Sequence, residues 1–349
     1  MKQLLILKDY RDMFWVSVEN LKDYKSMNVE QISNYFSNRG YKISVLKYSE
    51  IDFDEDYQGV YVLYQTSEDI GTFYKDYIED IILFLQYKGA ILLPNLYYFR
   101  AHHNKNYMEL LRNTFNNDEL KSIMSKLYGN GIEAIGDVEE YPVVIKAAEG
   151  AGSQNVSLAN SPKELKKVLN LLSAVFMVNS FKSVKDFLIY YICRKLIGKV
   201  QSPYRNYTFY RKKFVIQNFV PNLTGDYKVL FFGGKYYTLY RKNRENDFRA
   251  SGGGRLFPVS DEDNLGLLDF ASNVVSEIDF PIIGMDVGFD GSRYHLIEFQ
   301  MIHIGPYALH ASDCWYEYND SHWVRKNGKS NLEEEFSRSI YEFIEKIAQ

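Results

Sequence analysis

Short apolar runs alternating with helix-period segments dominate the first hundred residues. Strands are expected at 4–7, 43–46, 60–63 and 91–93, and helices at 29–37 and 74–87. Strands this short and this continuously apolar suit a mostly parallel sheet, whose strands are covered on both faces and lose the in–out alternation of a half-exposed sheet. No glycine-rich dinucleotide fingerprint follows the first strand, which runs into Lys8-Asp9-Tyr10-Arg11. This unit therefore reads as a scaffold for a substrate rather than for a cofactor.

The rest of the chain changes character. Helical patterns are expected over 104–111 and 118–127, and Gly129-Asn130-Gly131 breaks them. A strand at 143–146, a glycine-bearing loop and a second strand through Leu158 lead to a helix opened by Ser161-Pro162, Ser as cap and Pro in the first turn. Residues 174–213 mix aromatic and basic side chains; Arg194, Lys195, Lys199, Arg205, Arg211, Lys212 and Lys213 have no acidic residue among them. Such a stretch suits nucleic acid or a phosphorylated, glycan or peptide substrate, and is more often a solvated surface; we read it as an insertion near the active-site entrance. Strands follow at 214–219, 227–232 and 236–241, with Gly233-Gly234 as a hairpin turn, and helices at 265–278 and 332–347. The 349 residues are enough for three parts, expected at 1–100, 101–213 and 214–349.

Composition excludes several classes. A net charge of −4 gives no global attraction to nucleic acid or an anionic membrane. Cys193 and Cys314 form no disulfide framework. The N-terminus begins as a strand followed by charge, without a signal-peptide pattern. The most apolar stretches, 81–85 and 171–178, are too short to cross a bilayer. A soluble cytoplasmic protein is expected, without membrane insertion, with a homodimer as one arrangement.

Two segments carry chemistry. In Gly284-Met285-Asp286-Val287-Gly288-Phe289-Asp290-Gly291 and Tyr294-His295-Leu296-Ile297-Glu298-Phe299-Gln300, the Asp290-Gly291 turn folds one strand back on the other. Alternation places Glu298 and Gln300 on one face. With Asp286 beside them, two carboxylates and an amide oxygen converge, the donor set that a hard divalent cation prefers. Earlier, Lys146 ends a strand before a loop carrying Gly150, Gly152 and Ser153. Backbone N–H groups of such a loop bind anions, and a lysine beside it adds a point charge for phosphate. The spacing is not that of a P-loop.

In the order of these parts the chain resembles the ATP-grasp superfamily of carboxylate–amine and carboxylate–thiol ligases, particularly the branch of glutathione synthetase and the ribosomal-protein glutamate ligases. The resemblance spans about residues 100–305. It implies a mixed α/β and α+β architecture, the ATP-grasp fold behind an N-terminal α/β domain. It implies that Lys105 and Lys146 bind the phosphates of ATP, that residues 150–155 form the mobile loop, and that Gln217, Asn218, Phe219 and Val220 form the adenine hinge. Asp226 then meets the ribose, and Arg249, in Asp247-Phe248-Arg249-Ala250, stabilises the transferred phosphoryl group together with Lys146. Asp286, Glu298 and Gln300 hold Mg2+ or Mn2+. The family usually has Asn at the place of Gln300, and often Glu where Gln217-Asn218 stands. The implied reaction activates a substrate carboxylate as an acyl phosphate and joins it to an amine, releasing ADP and phosphate, with small-molecule, peptide or glycan substrates. Two other readings are an inactive or regulatory ATP-binding protein and a polyanion-binding protein using residues 194–213. Zinc ligation by His303, His310, Cys314 and His322 has no cysteine pair to support it.

Overall fold

The computed structural model describes residues 1–18, 24–69, 71–150, 155–173, 213–243 and 256–349, together with Lys185, Leu188, Ile192, Asp247 and Arg249. The basic stretch up to 212, Gly152 and Ser153 lie outside the described residues. The chain divides into two compact units, Met1–Ile123 with Val220–Gln349, and Met124–Phe219.

The first unit opens with β1 (Gln3–Lys8), a small hairpin β2 (Val16–Val18) and β3 (Tyr24–Ser26), α1 (Val29–Ser37), β4 (Lys42–Lys47), β5 (Tyr61–Leu63), α2 (Phe73–Tyr87), β6 (Ile91–Leu93), α3 (Leu96–Ala101) and α4 (Lys105–Asn113). Four strands form a parallel sheet in the order β4-β1-β5-β6, as the apolar runs predict. Leu4, Leu5, Ile6 and Leu7 of β1 are all buried, so both faces of the central strand are covered. Asparagines set the helix starts. Asn28 accepts from Gln31 N at 3.0 Å and Asn95 from Tyr97 N at 3.0 Å, each satisfying a donor that the first turn cannot.

The helix expected over 118–127 is absent. Residues Asp118–Lys121 make one 3-10 turn, and Ser125–Tyr128 form strand β7. The partner of β7 is distant: Ser125 pairs with Gln217 and Tyr128 with Phe214 on an antiparallel strand. A ladder to a remote strand outweighs a weak local helical preference. The second unit continues with α5 (Gly131–Ala134), β8 (Val143–Ala147), β9 (Val156–Ala159), α6 (Pro162–Ser173) and β10 (Phe214–Asn218), in an antiparallel order β7-β10-β8-β9. Val143, Ile145 and Ala147 of β8 and Phe214 and Ile216 of β10 share a core with Leu165 and Leu169 of α6. Strand alternation places Val144, Lys146, Val215 and Gln217 on the opposite face.

The first unit resumes with β11 (Gly225–Phe232), β12 (Lys235–Lys242), β13 (Leu256–Phe257), α7 (Asp261–Ser276), β14 (Ile282–Phe289), β15 (Tyr294–Gln300), α8 (Tyr307–Ala311), β16 (Cys314–Asn319), β17 (His322–Asn327) and α9 (Leu332–Ile347). The sheet order is β15-β14-β11-β12-β16-β17, with β13 on β12. Gly233 and Gly234 turn β11 into β12 with φ of 47° and 93°, the left-handed pair that a tight hairpin needs. Helix α9 returns to the N-terminal segment. Phe336 packs edge-on against Phe14 and Trp15, with centroids 5.9 and 4.9 Å apart, and Tyr341 against Phe36 and Tyr41. One buried core therefore runs through the first hundred residues and through 220–349. Among the described residues no helix is long and apolar enough to cross a membrane.

Candidate nucleotide and metal site

In the first unit, β14 and β15 pair antiparallel with Asp286 directly opposite Glu298 and Gly284 opposite Gln300. A bulge between Asp286 and Val287 shifts the register there. Directly opposed side chains in such a pair stand about 5 Å apart at Cβ, so the two acids share one face as expected. Glu298 is half-buried and, among the described residues, accepts no hydrogen bond. The Gln300 amide donates from Nε2 to the His303 carbonyl at 3.1 Å, which turns its Nε2 end toward the loop that follows.

Asp286 is embedded in an ion network that the motif reading does not contain. One oxygen lies 3.2 Å from Lys228 Nζ and the other 2.7 Å from Arg241 Nη2. Arg241 also grips Asp226, Nε to Oδ1 at 2.5 Å and Nη2 to Oδ2 at 2.8 Å, and donates from Nη1 to the Tyr307 hydroxyl at 2.8 Å. The arrangement follows from strand geometry. Asp226 and Lys228 are two apart on β11, Arg241 sits opposite Asp226 on β12, and Asp286 sits opposite Lys228 on β14, so all four project from one face. The environments separate the two acids. Burial raises the Asp226 carboxyl, with Arg241 opposing and Asp286 reinforcing the shift. Burial works the same way on Asp286, but Arg241 and Lys228 together hold it below the usual carboxylate range. Asp226, for which the resemblance implies a ribose contact, is closed bidentate by Arg241.

Helix α4 holds the strand that carries Glu298. Arg112, fully buried, donates to the Leu296 and Ile297 carbonyls, the latter at 3.1 Å, and pairs with Glu109 one turn back at 3.2 Å. Burial lowers the Arg112 guanidinium, while Glu109 and Glu298 oppose that shift. Lys105 is the first residue of this helix and is buried. Sequence reasoning passes over Lys228, Arg241, Glu109 and Arg112. Only the i, i+2 spacing of Asp226 and Lys228 and the i, i+3 spacing of Glu109 and Arg112 hint at them.

Arg249 folds onto Asp247, with Nε 2.9 and 3.0 Å from the two carboxylate oxygens and Nη2 at 2.7 Å. That hydrogen bonding raises its pKa. In the second unit, Lys146 is buried on β8, opposite Val215 and Val156. The loop after it is shaped by Gly150, whose φ is +122° and whose added Cβ would meet Asn155 Nδ2 at 2.6 Å. Asn155 closes the turn by donating to the Glu149 carbonyl at 2.9 Å. Gln217 is buried and donates to Ser125 Oγ at 2.9 Å, Asn218 donates its N–H to the Met124 carbonyl at 3.2 Å, and the chain passes from the second unit to the first between Phe219 and Val220.

No family model matches the chain, and no curated protein matches it. Among solved structures it is similar to the crystal structure of D-cycloserine synthetase DcsG, with a TM-score of 0.53 at 11% identity over 97% of this chain and 99% of that one. The chain has the ATP-grasp fold. At that identity the ATP-grasp likeness speaks to architecture alone. Looser likenesses are the RiPP-associated ATP-grasp ligase of Chryseobacterium gregarium in complex with ADP and a leader and core peptide (TM-score 0.47, 14% identity, 88% of this chain and 91% of that one) and the RimK domain protein ATP-grasp from Sphaerobacter thermophilus (0.43, 12%, 85% and 90%).

The donor set is all oxygen, as a hard divalent cation prefers, and Glu298 has no hydrogen-bond donor among the described residues; both oxygens of Asp286 are paired with Lys228 and Arg241, so a cation here would share Asp286 with them.

Proposed function

We propose that the protein is an ADP-forming ligase that activates a substrate carboxylate with ATP and joins it to an amine. The observation that carries this reading is the register of Asp286 against Glu298, with Gln300 two residues on, in a chain of this fold. Asp286, Glu298 and Gln300 hold the cation, and Arg241 and Lys228 keep Asp286 ionised and oriented. Bound Mg2+ supplies charge compensation for the phosphates of ATP. Lys105 and Lys146 bind those phosphates, the backbone of residues 150–155 covers them, and Gln217 to Val220 receive the adenine. Arg249, released from Asp247 when an anion competes for it, stabilises the phosphoryl group in transfer. Excluding water by loop closure protects the acyl phosphate until the amine attacks. We keep the three-part organisation 1–100, 101–213 and 214–349 as part of this proposal, with small-molecule, peptide or glycan substrates and a cytoplasmic location.

The test is ADP release, measured with Mg-ATP against panels of amino acids, sugar acids and small peptides as acid and amine. Amine-dependent ADP and phosphate release supports the proposal; cleavage to AMP and pyrophosphate overturns it. A second reading, nucleotide binding without ligation, is favoured by the closure of Arg249 on Asp247. Calorimetric binding of Mg-ATP with no ADP from any acid–amine pair would select it.

A further inference from the structure

A second cluster of metal-ligating side chains lies elsewhere in the first unit. Glu68 follows β5, His102 caps the C-terminus of α3 just after β6, and His303 lies in the loop after β15. Strands β5 and β6 are parallel neighbours, so their exits lie at one sheet edge, the edge where open α/β sheets take ligands. His102 Nε2 is 3.1 Å from Glu68 Oε1, and the His102 and His303 rings stand 5.5 Å apart at 76°. One ligand atom from each of the three residues lies within 4.8 Å of the others.

The hydrogen-bond accounting points to a ligand. His102 is 4% exposed, and its Nδ1 is buried without a partner among the described residues; His303 Nε2 is in the same state. A buried ring nitrogen left unpaired is costly, and His303 Nε2 is such an atom; His102 meets Glu68 through Nε2, so its own unpaired Nδ1 points to the far side of the ring. The surroundings fix the rings. The Lys75 ammonium donates to the His102 carbonyl, and His303 holds a left-handed φ of 50° while its carbonyl accepts from Gln300. Glu68 is exposed, so ligand can enter from its side.

We propose that Glu68, His102 and His303 form a second cation site, for a borderline divalent metal of the zinc class. Two imidazoles and one carboxylate suit zinc, cobalt or nickel, whereas the all-oxygen set of Asp286, Glu298 and Gln300 suits a hard cation. Three protein ligands leave a coordination position open toward solvent. Bound there, the metal ties the loop that carries His303, and with it the Gln300 amide, to the N-terminal sheet edge. The site stands whether or not the protein is a ligase.

The experiment is a Co2+ titration of the chelator-stripped full chain in excess Mg2+, followed by its visible d–d absorption and then by Zn2+ displacement. One equivalent of Co2+ with a saturable band, quenched by Zn2+, is expected. Glu68→Gln, on an exposed side chain, and His303→Asn, whose new residue accepts the left-handed backbone, should each weaken binding by about tenfold or more. Asp286→Ala should leave the Co2+ affinity unchanged. No band, or an affinity that Glu68→Gln leaves unaltered, overturns the site. If His303→Asn fails to fold by circular dichroism, Glu68→Gln decides alone. The readout needs neither nucleotide nor turnover, so its failure is separate from failure of the ligase proposal.

Discussion

Arg241 is the residue on which the buried acid pair beside the candidate metal strand depends. Among the described residues it alone pairs with both Asp226 and Asp286, and all three side chains are largely out of water. Arg241→Met therefore removes one partner and leaves two acids competing for Lys228. Breaking a buried pair in this way costs roughly 3–5 kcal/mol, read as a lower denaturant midpoint at unchanged slope. Adding Asp226→Asn should recover part of that loss, because the raised Asp226 carboxyl is the acid already nearest to neutrality. A loss below about 1 kcal/mol in the single variant would show that the network carries little stability. Glu298 presents the opposite case. Having no hydrogen-bond donor among the described residues, it contributes little to the fold, so Glu298→Ala should abolish ADP release at nearly unchanged melting temperature. Full turnover in that variant would remove the metal assignment. Gln300→Asn shortens the donor by one methylene and should change the Mg2+ to Mn2+ preference while sparing activity. The candidate ligands are legible in the sequence because alternation along one strand suffices to place Glu298 with Gln300. Arg241 is not, since nothing local connects it to a residue 45 positions later on another strand.

At the scale of elements, α4 and β15 form the clip that holds the metal-bearing strand. The pairing of Arg112 with the Leu296 and Ile297 carbonyls spans 184 and 185 positions of sequence. Arg112→Met would strand Glu109 inside the core and free two carbonyls, costing roughly 3–5 kcal/mol in unfolding experiments. Glu109→Gln with Arg112→Met, which removes both charges, should be milder. If the double variant is as unstable as the single one, the carbonyl contacts rather than the charge pair hold the strand. Element types were mostly legible. The cap asparagines, the glycine pair at 233 and 234, and the Ser161-Pro162 start all act within a few residues of themselves. Strand β7 was not, because its only reason to be extended is a ladder to β10, about ninety positions away. The hairpin β2–β3 escaped for a different reason: three-residue strands carry too few side chains to show a period.

For the whole molecule, ligand binding and folding are one equilibrium. If Lys146 and the cation ligands hold Mg-ATP, nucleotide at a hundred times its dissociation constant should stabilise the native state by about 2.7 kcal/mol, seen as a rise in melting temperature that EDTA reverses. Lys146→Ala should lose most of that rise, measured against its own ligand-free melting temperature. An undiminished rise in Lys146→Ala would place the nucleotide elsewhere. The sequence by itself determined the parallel N-terminal sheet, the hairpin that aligns Asp286 with Glu298, and the order of lysine, glycine loop, arginine and oxygen donors. The sheet and the hairpin follow from side-chain period and turn chemistry, which act over short distances along the chain; the roles of the lysines, glycine loop and arginine are what the resemblance implies. Tertiary structure alone decided that 1–123 and 220–349 share one core, that Lys228 and Arg241 neutralise Asp286, and that Glu68, His102 and His303 meet. Those outcomes are pairings between strands and loops far apart in sequence. Burial, which raises Asp226 and orphans the ring nitrogens, and the cations that hold Asp286 low both exist only once the chain has closed on itself.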